Sequence, residues 1–449
     1  MARATSPLRT ADLPINGVML RMSHGVILSM LALLVIGIVM INSAGLDVLP
    51  DEALVKSGAL SREAFERMSA RYTPIEFNTI FFGRPTVLAV VALAALWIGS
   101  RFDVERFMTT RGVRSWIPWI LGAMVVTLGL TQVPGVGREV NGSSRWIGPA
   151  ALGFQPSEFA KWGMLIVVSW FCVRHADRMQ SFKRGFLPVL GLITFVCALI
   201  GKEDLGTAAL VFVSCSALLM IGGMRWWYVA GLVPVGAVFA VIAVKLEPYR
   251  MARLTSYLDP WADAQGAGYH TIQALSAISG GGFWGRGIGN SLQKFGYLPE
   301  DTTDFVFAII CEELGVMGAM LIVMLFAALL LCGLGIVMRG SKLRQGDAIV
   351  PPFSRLFGTG VLITVGLQVL INLLVVTGLA PTKGIALPFI SSGGSGWVTT
   401  GLVIGLLLSI ERNAMRRERA LGITEDGALL VDADTASDVA GQGESVVGA

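Results

Sequence analysis

The chain has 449 residues, of which 54% are hydrophobic and only 15% charged, with a mean hydropathy of +0.67. Soluble domains carry about 25% charged residues, so this composition excludes a set of soluble domains and points to an integral membrane protein. The formal charge of +4 reflects arginines beside apolar runs and gives no sign of a nucleic-acid partner.

The chain opens with a polar stretch bearing Arg3, Arg9 and Arg21, and the apolar run that follows lacks a small-residue cleavage site, so no cleavable signal peptide is expected. A spanning helix needs about 20 mostly apolar residues. Ten runs approach or exceed that: 26–42, 79–99, 116–132, 159–172, 186–200, 206–221, 226–244, 305–337, 357–377 and 389–410. They are continuous rather than alternating, which predicts helices and not barrel strands. The short loops carrying Arg101, Arg106, Arg111 and Arg114, then Arg174, Arg178, Lys183 and Arg184, then Arg339, Lys342, Arg344 and Arg355 mark one face as cytoplasmic. Arg412, Arg416, Arg417 and Arg419 follow the last span on that same face, so both termini are expected inside. Two longer segments, 45–77 and 246–303, fall on the outer face. The division expected is a cytoplasmic tail over 1–21, a ten-helix membrane domain over 22–413 and a disordered cytoplasmic tail over 414–449. The five cysteines all lie in apolar runs without a CxxC or Cys/His grouping, so neither a disulfide framework nor a zinc site is expected.

The unusual polar residues gather on the outer face. Asn141-Gly-Ser-Ser-Arg145-Trp146-Ile147 precedes the fourth span, and Gln155-Pro156-Ser157-Glu158-Phe-Ala-Lys161 opens it. Pro156 suits a first helical position. Glu158 and Lys161, three apart on one helix face, are placed to pair, either as a local ion pair or as a functional site in the membrane. The eighth run, 305–337, would be about 50 Å long as a helix, beyond the roughly 30 Å hydrocarbon core. Its upper turns are therefore expected to tilt or protrude, with Glu312 and Glu313 near the outer interface and Asp304 above them. Asp304 has two readings: a first-turn carboxylate favoured by the helix dipole behind a Thr302 or Thr303 cap, or a base beside the lipid head groups. Lys202, Glu203 and Asp204 read as a solvated turn between the fifth and sixth spans. Gln368 and Asn372, four apart in the ninth, read as interhelical hydrogen-bonding residues. Gly280-x-Gly282-x-x-Gly285 has the letters of a dinucleotide fingerprint but lies outside any βαβ unit.

These motifs, taken in order, resemble the SEDS family (shape, elongation, division and sporulation). The resemblance rests on Arg145-Trp-Ile with Gln-Pro-Ser-Glu158-Phe-Ala-Lys161, Asp204-Leu-Gly-Thr207, Gly268-Tyr-His-x-Ile-Gln273, Gly287-Ile-Gly-Asn-Ser291, Leu298-Pro-Glu300, Thr303-Asp304-Phe and Glu312-Glu-Leu-Gly315. Pro381-Thr-Lys383-Gly with Leu387-Pro-Phe-Ile-Ser391-Ser-Gly-Gly-Ser395 is similar to the division-type FtsW branch, where the elongation branch, RodA, has Val-Thr-Gly. Thr302, Lys202, Ser392 and His270 depart from the usual family residues. The resemblance implies an all-α membrane fold of about ten helices and a bacterial inner-membrane enzyme of septal peptidoglycan synthesis. It would be an inverting glycosyltransferase that polymerises lipid II, the disaccharide-peptide carried on undecaprenyl pyrophosphate. An elongation polymerase or a lipid II flippase are the alternatives. Asp304 is implied as the base, and Arg145, Lys161, Lys383, Ser391 and Ser395 as substrate or pyrophosphate partners. Trp146, Glu158, Asp204, Glu300 and Glu312 are implied as supporting residues. A class B penicillin-binding protein and other divisome membrane proteins are the implied partners. A divalent cation, Mg²⁺ or Mn²⁺, would assist the leaving group, with no dedicated metal site and no organic cofactor.

Overall fold

The computed structural model describes residues 21–44, 62, 81–109, 115–140, 143–149, 153–245, 248–293, 298, 302–341, 353–392 and 394–420. The 1–20 and 421–449 tails, most of 45–77, and Glu300 lie outside the described residues.

Continuous apolar runs fold into helices because every backbone group is then paired within the segment. The principal helices are α1 (Met22–Ala44), α2 (Arg84–Arg101), α3 (Trp116–Leu130), α4 (Pro156–Arg174), α5 (Leu187–Gly201), α6 (Leu205–Ile221), α7 (Leu232–Lys245), α8 (Pro248–Leu258), α9 (Tyr269–Gly281), α10 (Val306–Ser341), α11 (Phe353–Val376) and α12 (Ser395–Ala420). Helix lies over every one of the apolar runs found in the sequence; the 226–244 run is divided at Gly231, with a short helix, Trp226–Ala230, before α7. Among the described residues, six helical segments are long and apolar enough to cross a membrane, and α3 and α6 are shorter apolar helices. The protein is a multi-pass membrane protein. Its large exposed side chains agree: Trp97, Val126, Phe195, Val241, Met324 and Leu331 face outward, the signature of helices whose solvent is lipid.

Helices α4, α6 and α11 form the centre, with α5 against α6, α1 and α9 against α10, and α2 against α12. The last pair comes close through glycine. A methyl group at Gly401 or Gly405 would lie 2.6 or 2.2 Å from the Ala92 or Leu96 carbonyl oxygen, and one at Gly99 would lie 2.3 Å from that of Leu402. Such small-residue contacts let helix backbones touch where lipid supplies no hydrophobic drive.

The 305–337 run, expected as one long rod, is broken. Gly315 has φ 66° and ψ −163°, a conformation open to glycine alone at no cost. The groups freed by the break are taken by the segment after α9. Arg286 and Gly287 N–H donate to the Glu312 and Glu313 carbonyls at 3.0 and 2.9 Å, and Val316 and Met317 N–H donate to the Gly282 and Phe283 carbonyls at 3.1 and 3.3 Å. The run is thus a kinked helix rather than a straight one. The first-turn reading of Asp304 does not hold. The helix starts at Val306, so Asp304 sits in the preceding turn and not in the first helical turn.

Between α3 and α4 stands a hairpin, β1 (Gly137–Val140) antiparallel to β2 (Ser143–Ile147), with Arg138 opposite Trp146. It brings Arg145 and Trp146 to the mouth of the bundle.

Candidate active site

Two polar groupings meet at the ends of α4, α6 and α12. The first is built on the hairpin. Arg145 Nε donates to Ser143 Oγ at 2.9 Å and to the Glu203 carbonyl at 3.0 Å, while its two Nη groups make no hydrogen bond among the described residues. Glu203 accepts from Ser143 Oγ at 2.9 Å, from Ser144 N–H at 3.0 Å and from Gln132 Nε2 at 3.3 Å. Partial burial pushes the Glu203 carboxyl up, but those hydrogen bonds and the Lys202 ammonium outweigh it and hold it below the usual glutamate value. Asp204, 6% exposed, caps α6: its carboxylate accepts from Thr207 N–H at 3.0 Å and from Thr207 Oγ1 at 2.7 Å. Only Lys202 of this turn is exposed, and its ammonium meets Gln132. The solvated turn expected from three successive charges is solvated only at Lys202; Glu203 is part-buried and Asp204 buried, because a hairpin 60 residues earlier in the chain holds Glu203. A narrow cleft opens here, lined by Thr131, Ser144, Arg145, Ser157, Glu203 and Asp204. The buried Ser157 hydroxyl has no hydrogen-bond partner among the described residues.

The second grouping surrounds Asp304. The turn bearing it is fixed by its backbone: the Thr302 carbonyl accepts from Ser392 N–H at 2.8 Å, and the Asp304 carbonyl accepts from Asn372 Nδ2 at 3.0 Å. The same Asn372 amide donates to the Ile385 carbonyl at 2.8 Å. Asp304 is therefore tied to the irregular segment between α11 and α12, which contains Lys383 and Gly384. The approach is close: a methyl group at Gly384 would lie 2.8 Å from Asp304 Oδ2. Gly206, two residues after Asp204, joins the groupings; its methyl would lie 3.4 Å from Asp204 Oδ1 and 3.3 Å from Ile385 Cγ1. Lys383 is half-buried beside Gly384. His270 stacks on Phe305, the residue after Asp304, with ring centroids 5.8 Å apart.

The other residues singled out in the sequence occupy supporting places. Glu158 and Lys161 do pair, at 2.8 Å, at the start of a helix whose first residue is Pro156. Lys161 is 1% exposed; its ammonium is shared between both Glu158 oxygens and Gln368 Oε1 at 2.8–2.9 Å, and it lies over the Trp162 ring. It therefore reaches the site through Gln368, whose Nε2 donates to the Ala386 carbonyl at 2.7 Å, and not as an exposed cation. Ser391 Oγ accepts from Leu387 N–H at 2.7 Å, and Ser395 Oγ accepts from Gln155 N–H at 2.9 Å, so both hydroxyls hold backbone. Trp146 packs against Gly153 and Gly394. Glu312 stands apart from the cations Arg145, Lys161 and Lys383 in its bonding: buried at 1% exposure, it accepts from Ser291 Oγ and Leu292 N–H and pairs with Arg286 at 3.3 Å. Arg84, in sequence one more arginine beside a span, lies against Gly394, which Trp146 also approaches.

Among the described residues no three His, Cys, Asp or Glu side chains converge on a metal-binding group. Hard divalent cations such as Mg²⁺ are commonly held by one or two carboxylates with substrate phosphates, and Asp304 offers one such carboxylate.

Comparison with known proteins gives this geometry a context. Residues 65–416 match the FtsW/RodA/SpoVE family, described as "Cell cycle protein". Stage V sporulation protein E of Bacillus subtilis is 36% identical over 348 residues, covering 73% of this chain and 93% of that protein. A Coxiella burnetii protein named "Probable peptidoglycan glycosyltransferase FtsW" is 37% identical over 331 residues, covering 74% of this chain and 86% of its own. Among solved structures, the one reported as "Structural coordination of polymerization and crosslinking by a peptidoglycan synthase complex" aligns with TM-score 0.62 at 24% identity, over 87% of this chain and 97% of that one. Thermus thermophilus rod shape determining protein RodA aligns with TM-score 0.54 at 24% identity, over 87% and 96%. Both share its fold. The sequence match across most of the chain, and a helical bundle common to these structures, make this protein a member of the FtsW/RodA/SpoVE, or SEDS, family of cell cycle proteins.

Proposed function

We propose that the chain is an inverting peptidoglycan glycosyltransferase that polymerises lipid II at the outer face of the bacterial cytoplasmic membrane. The observation that carries this reading is the family match over 65–416, whose relatives bear that enzyme's name. The geometry adds a carboxylate on a fixed turn against Gly384, the residue after Lys383. In the reaction the acceptor's GlcNAc 4-hydroxyl oxygen attacks C1 of the donor's MurNAc. The C1–O bond to pyrophosphate breaks, the hydroxyl proton passes to a base, and undecaprenyl pyrophosphate departs with the bonding electron pair.

Asp304 is the base. A base must stay within hydrogen-bond reach of the proton it takes, and a turn held at both the Thr302 and Asp304 carbonyls keeps that carboxylate from swinging away. Arg145 contributes its two uncommitted Nη groups, and Lys383 its ammonium, to the departing pyrophosphate, where preorganised cations act on developing charge. Glu158, Lys161 and Gln368 hold the 386 end of the segment behind them. A divalent cation fits with the pyrophosphate oxygens and at most the Asp304 carboxylate, and when bound it would neutralise leaving-group charge. The motifs 381–384 and 387–395 favour septal synthesis over elongation, with a class B penicillin-binding protein as the partner transpeptidase and both chain termini in the cytoplasm.

The test is glycan synthesis from purified lipid II by wild type and Asp304→Asn, with and without the cognate transpeptidase. Polymer from wild type and none from the variant is expected. Polymer from both would remove Asp304 from the chemistry, and none from wild type with its partner would favour the flippase.

A further inference from the structure

The segment between α11 and α12 has no regular secondary structure through 379–385, so its carbonyls need donors from elsewhere. From inside the bundle, Gln368 and Asn372 supply them at Ala386 and Ile385. From outside, a different element does so. Helix α8 is strongly two-sided: Met251, Leu254 and Leu258 are exposed on one face, while Arg253 and Tyr257, one turn apart, meet the segment. Arg253 Nη1 donates to the Thr382 carbonyl at 3.3 Å, and Tyr257 OH donates to the Leu379 carbonyl at 3.1 Å. Thr382 is bonded directly to Lys383, and Gly384 lies against the Asp304 carboxylate.

We infer that Arg253 and Tyr257 are positioning residues which, through the Thr382 and Leu379 carbonyls, set where Lys383 and Gly384 stand relative to Asp304. Both meet the segment at its backbone carbonyls. Their effect is transmitted through one hydrogen bond and then along the backbone, one to two residues from Thr382 and four to five from Leu379. The geometry makes Arg253 the stronger of the two, because it is the nearer to Gly384 and its donor is charged. It also distinguishes the two sides of the segment: the inner donors hold it into the core, whereas α8 fixes it from the outer face. A movement of α8 would then shift Lys383 and Gly384 without disturbing α11.

The inference rests on the glycosyltransferase reading for its kinetic consequence, so the experiment carries two readouts. Full-length protein with its transpeptidase, as wild type, Arg253→Gln, Arg253→Lys and Tyr257→Phe, is assayed for polymerisation and for backbone amide exchange. Arg253→Gln is expected to lower kcat about tenfold, the scale set by one charge-assisted hydrogen bond, with KM and thermal stability unchanged. Arg253→Lys should recover much of that loss, and Tyr257→Phe should cost less. Amide exchange over 379–385 should rise in Arg253→Gln while exchange in α11 and α12 stays as in wild type. Wild-type kcat in Arg253→Gln, or an equal fall in stability and exchange protection throughout the bundle, would overturn the inference. If wild type makes no polymer, the glycosyltransferase reading fails by itself. Exchange then still decides: faster exchange confined to 379–385 supports the tether, and unchanged exchange there refutes it.

Discussion

Substituting Gly384 by alanine probes the site with one methyl group. That carbon would stand 2.8 Å from Asp304 Oδ2, 3.6 Å from its Cγ and 3.8 Å from Oδ1. Ordinary contact begins near 3.4 Å, so Oδ2 alone is overlapped and must retreat by about 0.6 Å, since a 1 Å misplacement of a catalytic group can cost on the order of 100-fold. Scaled to 0.6 Å, the loss is roughly tenfold to thirtyfold in kcat, or about 1.5–2 kcal/mol of transition-state stabilisation. The fold should not suffer. Gly384 is exposed and outside the left-handed region, where alanine is tolerated and removes unfolded-state freedom worth about 0.4–1 kcal/mol. The assay is steady-state polymerisation beside thermal unfolding in detergent, for Gly384→Ala, Asp304→Asn and the double variant. Reduced kcat at unchanged or higher stability is expected. The double variant should be no slower than Asp304→Asn alone, because both changes act on one carboxylate. Wild-type kcat in Gly384→Ala would refute the placement of Asp304 at the reacting centre.

Two further expectations concern stability. Lys161→Met leaves the Glu158 charge in a protein interior and should destabilise by about 3 kcal/mol or more, whereas Glu158→Gln with Lys161→Met should recover most of that loss; thermal unfolding of the two variants beside wild type checks it. Glu203 titrates below its ordinary value, so its contribution is complete above the unfolded pKa of about 4.3 and is lost as pH falls through the lower folded value. Glu203→Gln should flatten stability against pH in that acidic window and leave it unchanged in form near neutrality.

Much of this arrangement is legible in the sequence because the controlling interactions are local. Apolar runs of spanning length become helices, and the i, i+3 spacing of Glu158 and Lys161 is enough to pair them. The ninth-span amides were also readable as hydrogen-bonding residues, although their partners were not: Gln368 and Asn372 bind loop carbonyls 13 to 18 residues away, and Asn372 one 68 residues away. What stayed hidden depends on distant chain. Gly315 looks like any glycine in an apolar run, since the segment that makes its break tolerable lies about 30 residues earlier. Lys202-Glu203-Asp204 looks solvated until the hairpin is in place. The 251, 254, 258 spacing of α8 was a readable amphipathic signal, masked by the mixed charge of the long segment around it.

The handover of hydrogen bonds at Gly315 also bears on how the protein is assembled. Four backbone groups at that break, the Glu312 and Glu313 carbonyls and the Val316 and Met317 amides, bond to residues 282–287. Those residues are synthesised before α10, so the partner strand has already left the ribosome when the kinked helix enters the membrane. Inserted in the opposite order, the helix would present unpaired amides and carbonyls to hydrocarbon, at several kcal/mol each. A circular permutant that begins translation at α10 should therefore insert poorly, even though every contact of the finished bundle remains available to it.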